Sequence, residues 1–195
     1  MITQNSAQHT PSRECDFDFR WVNSLRMTAA QTVVHIDTPR VEDGAAIWRI
    51  ARDSQVLDLN SAYSYLLWCR DFAATSVVAR DATGEPIAFV TGYVRPDRPE
   101  TLVVWQVAVD REHRGRGLAG TLLEALTGKV ADSHGVSSVE TTVTPDNTAS
   151  DRLFTAFAER RGTAPRREVL FDSGLFPDEG HKAEVLYRID LGVRL

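Results

Sequence analysis

The segment Val103–Leu126 constrains the fold of this chain more than any other part of the sequence. It begins inside an apolar, β-branched run, Leu102–Val109, which predicts a buried strand. A short basic turn, Arg114–Gly117, comes after the strand. Apolar residues then recur at helical spacing and predict one buried stripe on a helix: Leu118, Ala119, Leu122, Leu123, Leu126 and Val130. A strand, a glycine turn and an amphipathic helix therefore follow one another.

The turn Arg114-Gly115-Arg116-Gly117 has the properties of an anion-binding site. Glycines let several backbone N–H groups converge without a Cβ in the way. The helix that follows adds free N–H groups and the positive end of its dipole, so a diphosphate suits the site. No Gly-Lys-Ser/Thr follows, and the third glycine of a dinucleotide-binding fingerprint is missing. The alternative is a turn that only joins strand to helix and leaves both arginines to solvent.

The motif Arg114-x-x-Gly117-x-Ala119 resembles the acyl-CoA signature of the GNAT N-acetyltransferases. Sequence patterns over residues 32–191 predict the order β-α-α-β-β-β-α-β-α-β-β, which is similar to the order of that fold. The resemblance implies one α/β (α+β) GNAT domain, residues 32–195. Its sheet would be mixed, mostly antiparallel, of about seven strands, splayed at its centre and flanked by about four helices. Residues 1–31 lack a sustained period, and we expect a flexible tail there.

In that fold the strands Leu102–Val109 and Ser138–Thr144 would splay apart and leave backbone groups without partners. The resemblance implies that the pantetheine arm of acetyl-CoA pairs with them like an added strand. A backbone N–H aimed at the thioester carbonyl would stabilise the developing oxyanion. The implied cofactor residues are Val107, Ala108, Val109, Arg114, Gly115, Arg116, Gly117, Leu118, Ala119, Asn147 and Phe154.

Two of these positions leave alternatives open. Asn147 could contact the pantetheine arm or cap the helix that it precedes. Many GNAT enzymes place a tyrosine seven residues after this position, as the acid for the leaving thiolate, but Phe154 stands there in this chain. Phe154 has no proton to give, so the thiolate would leave unprotonated or take a proton from another group or water.

Five stretches go beyond the general GNAT pattern: Asp58–Tyr65, Phe89–Gly92, Val104–Val109, Thr142–Pro145 with Asn147, and Leu175–Glu184. Together they resemble one subfamily in particular, the L-2,4-diaminobutyrate N-acetyltransferases of ectoine synthesis. The resemblance implies acetyl transfer from acetyl-CoA to the Nγ amine of diaminobutyrate, with Nγ-acetyl-diaminobutyrate as the product. It also implies a homodimer.

Diaminobutyrate carries two ammonium groups and one carboxylate, so its site needs carboxylates near the amines and donors near the acid group. The resemblance implies Asp58 and Glu184 as the amine-binding carboxylates, and Asn60 or His181 as the donors. Tyr63, Tyr65 and Trp105 would wall the pocket. Without the resemblance, the sequence would predict other roles for three of these residues: Asp58 would cap a helix, Glu184 would be a solvated charge at a strand end, and Trp105 would be an ordinary core residue.

The attacking amine starts as an ammonium group, with an ordinary pKa of about 10, and must lose a proton before it attacks. Glu184 or Asp58, directly or through water, is the candidate base, and His181 and His113 are alternatives. His113 stands beside the glycine turn, where it would face diphosphate or solvent. The amine would attack the thioester directly, which requires neither a covalent enzyme intermediate nor a metal.

Composition limits the other classes. The net charge of −5 disfavours a general nucleic-acid binder, and no apolar run approaches the length of a membrane span. Cys15 and Cys69 lie far apart, which argues against a disulfide framework or a zinc site and fits a reducing cytosol. Cys69 stands in an apolar segment and is expected in the core. The first residues lack the pattern of a secretory signal, so we expect a cytoplasmic protein.

Two other functions stay open. One is a GNAT enzyme for another amine, such as a polyamine, an aminoglycoside or a protein terminus. The other is a non-catalytic acyl-CoA-binding module, which would keep the glycine turn but need no carboxylates beside it.

Overall fold

The computed structural model of the chain describes residues 34–177 and 180–192. The tail predicted for residues 1–31 lies outside these ranges, as does Cys15. The described residues form seven strands: β1 His35–Asp37, β2 Val77–Arg80, β3 Pro86–Arg95, β4 Arg98–Val109, β5 Ser138–Val143, β6 Arg166–Phe171 and β7 Glu184–Asp190. Four α-helices accompany them: α1 Gly44–Ser54, α2 Ala62–Asp71, α3 Leu118–His134 and α4 Thr148–Glu159.

The strands form one sheet in the order β1-β2-β3-β4-β5-β7-β6. β4 and β5 run parallel, and each other neighbouring pair in the described chain is antiparallel. This mixed, mostly antiparallel sheet and the predicted order of elements are confirmed. Among the described residues, no helix has both the length and the apolar character needed to cross a membrane.

Helices cover both faces of the sheet because each strand alternates its side chains between two cores. On one face, the buried stripe of α3 and the phenylalanines of α4 pack on Ala88 and Val90 of β3. On the other face, α1 and α2 pack on Phe89, the residue between those two. Cys69 belongs to this second core, as predicted, and its burial raises the pKa of the thiol to about 11. The thiol is therefore protonated and inert at neutral pH.

The sheet is splayed at its centre, between β4 and β5. Parallel pairing joins Thr101–Val103 to Ser138–Glu140 and then stops. Beyond that point β4 continues to pair with β3, and β5 with β7, so the two strands diverge as the fold requires. The predicted splay is confirmed, and it opens a cleft towards the C-terminal ends of both strands.

A β-bulge on β4 lies at the start of the cleft. Gln106 pairs with Thr91, but the next rung joins Val104 to Gly92, so Trp105 is the extra residue. A Cβ on Gly92 would lie 2.6 Å from the carbonyl oxygen of Val103. The close approach of the two strands at the bulge therefore requires glycine at this position.

A buried carboxylate, Glu140, lies where β4 and β5 part. Arg95 and Arg188 bind it at 3.1 and 2.8 Å, and Arg98 lies 3.0 Å away. Burial alone would raise the pKa of Glu140, but the hydrogen bonds from Arg188 and Arg95 and the charge of Arg98 outweigh burial, and the pKa lies below its usual range. This network ties the β3–β4 hairpin to β5 and β7 at the base of the cleft.

Candidate active site

The glycine turn leaves its backbone accessible at the mouth of the cleft. Gly115 and Gly117 adopt left-handed backbone conformations, with φ of +75° and +74°. Gly117 is the N-cap of α3, and no other part of the described chain comes within 4 Å of the position of a Cβ on either glycine. Leu118, the next residue, is already buried, while Arg114 and Arg116 are exposed. The turn therefore presents free N–H groups at a helix N-terminus, without side chains in the way.

The edge of β4 that faces β5 is open for an added strand. The N–H of Asp110 donates to Ile87 of β3 at 2.8 Å. Because backbone groups alternate along a strand, those of Val107 and Val109 face the other edge, which we call the open edge. Arg114 confirms this direction, since its Nε donates to the Val109 carbonyl at 3.0 Å. Ala108, predicted with its two neighbours, turns its backbone towards β3 instead.

The two remaining cofactor candidates lie on α4. The side chain of Asn147 caps this helix by accepting a hydrogen bond from the N–H of Ser150 at 3.1 Å. Its contact with the pantetheine arm stays a prediction. Phe154 is buried in the core that α3 shares with the sheet. Its ring packs within that core, and it offers no proton, so this structure assigns no acid at that position.

Three predicted residues from distant parts of the sequence meet beside the C-terminal ends of β4 and β5. Asp58 lies in the loop between α1 and α2, Glu184 begins β7, and His181 precedes β7. The carboxylate oxygens of Asp58 and Glu184 and a ring nitrogen of His181 lie within 4.8 Å of one another. We call these three residues the acceptor cluster. Two carboxylates and an imidazole at this spacing can bind a small cation and accept a proton from it.

The orientation of His181 follows from its neighbours. Its Nδ1 lies 2.6 Å from the carbonyl oxygen of Lys182, and a carbonyl only accepts, so Nδ1 carries the proton. Nε2 then faces Asp58, 3.6 Å from Oδ2, and the ring stacks on Phe176 with centroids 3.6 Å apart. The carbonyl of Lys182, followed by Asp58 and Glu184, raises the pKa of His181 above its usual value. His181 therefore stays cationic to higher pH than a free histidine.

Two of the three predicted wall residues are accessible. The side chain of Trp105 is 50% exposed and stacks on Trp68 of α2, and Tyr63 is 65% exposed. Tyr65, in contrast, is 0% exposed, so the structure does not place it on a pocket wall. Residues two apart on a helix point about 200° away from each other, so Tyr63 and Tyr65 cannot line the same pocket.

The other polar candidates are separated. Asn60 lies half-buried beside the Tyr65 hydroxyl, just before Ser61, which caps α2 by accepting from the N–H of Ser64. His113 lies in a 3-10 helix before the glycine turn and outside the acceptor cluster. The structure thus brings His181, and not His113, to the two carboxylates.

Sequence reasoning missed Gln106, the buried residue next to the bulge. Its Nε2 donates to the backbone carbonyl of Asp58 at 2.8 Å, and its Oε1 accepts from the Tyr65 hydroxyl at 3.0 Å. The signal available in the sequence was a single amide side chain within an apolar strand. Its partners come from residues more than 40 positions earlier in the chain.

Comparison with known proteins shows the family of this chain. Residues 44–158 match the acetyltransferase (GNAT) family model, which is more than half of the chain. The chain belongs to the GNAT acetyltransferase family.

Relatives within the family are close. An L-2,4-diaminobutyric acid acetyltransferase from Streptomyces anulatus is 74% identical over 161 residues, which cover 83% of this chain and 92% of that protein. One from Streptomyces coelicolor is 68% identical, covering 84% of this chain and 96% of that protein. By sequence, the chain also belongs with the diaminobutyrate acetyltransferases.

A solved structure of a GNAT relative has the same fold. The diaminobutyrate acetyltransferase EctA from Paenibacillus lautus, solved in complex with its substrate L-2,4-diaminobutyric acid and coenzyme A, superposes with a TM-score of 0.78. It is 38% identical, and the match covers 85% of this chain and 99% of that one. The residues present in this chain fit the co-substrate that the family uses. The open edge offers amide partners at Val107 and Val109, and the glycine turn offers N–H groups for the diphosphate.

Proposed function

We propose that this GNAT enzyme transfers the acetyl group of acetyl-CoA to the Nγ amine of L-2,4-diaminobutyrate. The observation that supports the substrate most directly is the acceptor cluster, in which Asp58, His181 and Glu184 converge within 4.8 Å. A relative that is 74% identical carries the name of this activity. The product would be Nγ-acetyl-diaminobutyrate, the precursor for ring closure in ectoine synthesis.

The charges of the cluster complement those of the substrate. Asp58 and Glu184 provide two carboxylates for two ammonium groups. A cationic His181, or the amide of Asn60, provides a donor for the substrate carboxylate. Tyr63 and Trp105 have exposed aromatic rings, on which an ammonium group or the carbon chain can pack. A diamine without a carboxylate would leave the donor unpaired, which predicts a preference for the amino acid.

The proton of the attacking ammonium group must leave before the nitrogen lone pair can reach the thioester. Glu184 or Asp58 accepts this proton, directly or through water. The alternative acceptor is His181 in its neutral form, through the Nε2 that faces Asp58. The amine then attacks the thioester carbonyl, whose oxygen is held by a backbone N–H of the open edge. The C–S bond breaks and the thiolate of coenzyme A leaves, while the second proton of the attacking nitrogen passes to water or to the thiolate, since Phe154 supplies none.

Three further expectations accompany this function. We expect a homodimer, as the subfamily resemblance implies, and light scattering on a size-exclusion column measures it. We expect the reaction in the cytoplasm, since a chain with two cysteines suits a reducing compartment. No resident metal is required, although the donors of the acceptor cluster are of a kind that can also hold a divalent cation.

The decisive experiment measures acetyl-CoA turnover with diaminobutyrate, diaminopropane, ornithine and lysine as acceptors. We expect the highest kcat/KM with diaminobutyrate and a product acetylated at Nγ, which NMR distinguishes from the Nα isomer. Preference for diaminopropane would instead indicate a polyamine enzyme. Binding of acetyl-CoA without turnover of any amine would favour the non-catalytic module.

A further inference from the structure

We infer that Gln106 is a positioning residue that holds Asp58 at a set place relative to the open edge of β4, and thereby helps to select which amine reacts. The inference rests on the proposed function. It concerns the distance between the amine-binding carboxylate and the strand that receives the thioester.

Gln106 joins the two halves of the site. It directly precedes Val107, whose backbone faces the open edge, while its own side chain points into the core beneath α1 and α2. The bulge at Trp105 shifts the register of β4 at this point, next to the rung that joins Gln106 to Thr91. One short stretch of β4 therefore contributes both the backbone for the acyl donor and the side chain that reaches the acceptor loop.

The amide of Gln106 has a single workable orientation. The Tyr65 hydroxyl donates to Oε1 at 3.0 Å, and the carbonyl oxygen of Asp58 lies 2.8 Å from Nε2. If the amide were turned over, Oε1 of Gln106 would face the carbonyl oxygen of Asp58, and two acceptors in contact repel each other in a buried site. The acceptor-only carbonyl of Asp58 therefore fixes the orientation of the amide, and the Tyr65 hydroxyl holds the Oε1 that this orientation presents, so Tyr65 acts on the site through Gln106.

Asp58 depends on this anchor because its side chain is otherwise loosely held. The carboxylate is 88% exposed, and its described side-chain partner is His181 at 3.6 Å, which is beyond a normal hydrogen bond. The backbone bond to Gln106 thus sets where the carboxylate can reach. Diaminobutyrate has two amines, and a displaced carboxylate would present the wrong amine, or neither, to the thioester.

The test uses two variants. Gln106→Met keeps length and volume but has no donor for Asp58 and only a weak acceptor for Tyr65, and Gln106→Glu keeps the acceptor for Tyr65 but removes the donor to Asp58. We expect kcat/KM for diaminobutyrate to fall roughly 10- to 100-fold in both variants, while KM for acetyl-CoA stays within about twofold. We also expect more Nα-acetylated product, and relatively better use of diaminopropionate or ornithine.

Two further variants separate positioning from a general loss of stability. Thr91→Val removes a buried hydroxyl on the rung opposite Gln106, one that has no hydrogen-bond partner in residues 34–177 and 180–192. It should leave the kinetics unchanged. Tyr65→Phe should act like Gln106→Met but more weakly, and the double variant should be no worse than Gln106→Met alone, since Tyr65 acts through Gln106.

The outcomes distinguish this inference from the proposed function. If the unmodified enzyme fails to acetylate diaminobutyrate, the proposed function is wrong. If it does so, and both Gln106 variants keep its kcat/KM and its Nγ selectivity, Gln106 is not a positioning residue. A Tyr65→Phe effect that adds fully to that of Gln106→Met would also overturn the inference.

Discussion

Replacing Gly117 by valine tests the anion site at the start of α3. Gly117 has a φ of +74°, and Gly135, at the other end of the same helix, has a φ of +69°. No other described atom lies within 4 Å of a Cβ on either residue. The two glycines thus share their backbone conformation and open surroundings, but only Gly117 lies in the turn that would bind the diphosphate.

The matched pair Gly117→Val and Gly135→Val separates strain from ligand binding. A left-handed conformation costs an L-residue roughly 1–2 kcal/mol, so both variants should lose similar stability. For a domain of this size that corresponds to a fall in Tm of roughly 2–8 °C. Gly117→Val also places a branched side chain over the N–H groups of the turn. Losing one hydrogen bond to a charged ligand costs roughly 1.5–3 kcal/mol, which weakens binding about 10- to 100-fold.

Isothermal titration with coenzyme A measures the effect on binding, and differential scanning calorimetry measures the stability. We expect a weaker Kd in Gly117→Val and an unchanged Kd in Gly135→Val, at similar Tm. Equal affinities in the two variants would show that the turn does not hold the diphosphate, and would refute the assignment of Arg114–Ala119 as the cofactor motif.

Three other predictions follow from the site and the core. Asp58→Asn and Glu184→Gln should each lower kcat/KM for diaminobutyrate by at least about 100-fold while the Kd for coenzyme A stays unchanged; full activity in either variant would remove that carboxylate from the mechanism. Dialysis against EDTA should leave turnover unchanged, and a loss that zinc restores would assign the acceptor cluster to a metal. Glu140→Gln should lower the free energy of unfolding by roughly 1.5–3 kcal/mol at pH 7, because it removes a buried carboxylate that accepts charge-assisted hydrogen bonds from partly exposed arginines. Since the pKa of Glu140 is lower in the folded state, its stabilisation is complete above the unfolded pKa of about 4.3 and disappears as the pH falls through the folded value. Urea unfolding at pH 7 and pH 3.5 should therefore show a smaller difference in the free energy of unfolding between Glu140→Gln and the unmodified protein at pH 3.5. A difference that is equally large at both pH values would contradict this.

The acceptor site shows which site residues a sequence resemblance predicts correctly and which it does not. The resemblance to a subfamily indicated Asp58, His181 and Glu184, and the structure brings these three together. It also indicated Tyr63 and Tyr65 together, although helical geometry separates them: Tyr63 is exposed and Tyr65 is buried. A motif match identifies both tyrosines but does not tell which side chain is exposed and which is buried.

The order of strands and helices, the glycine turn and the buried stripe of α3 were determined by the sequence alone, because they depend on periodicity and on residues close together in the chain. Tertiary structure alone decided the bulge at Trp105, the network around Glu140 and the bond from Gln106 to Asp58. Each depends on side chains and strand registers that meet only after distant segments have packed. A polar residue in an apolar strand shows that a partner is needed, and only the folded chain determines which one it finds.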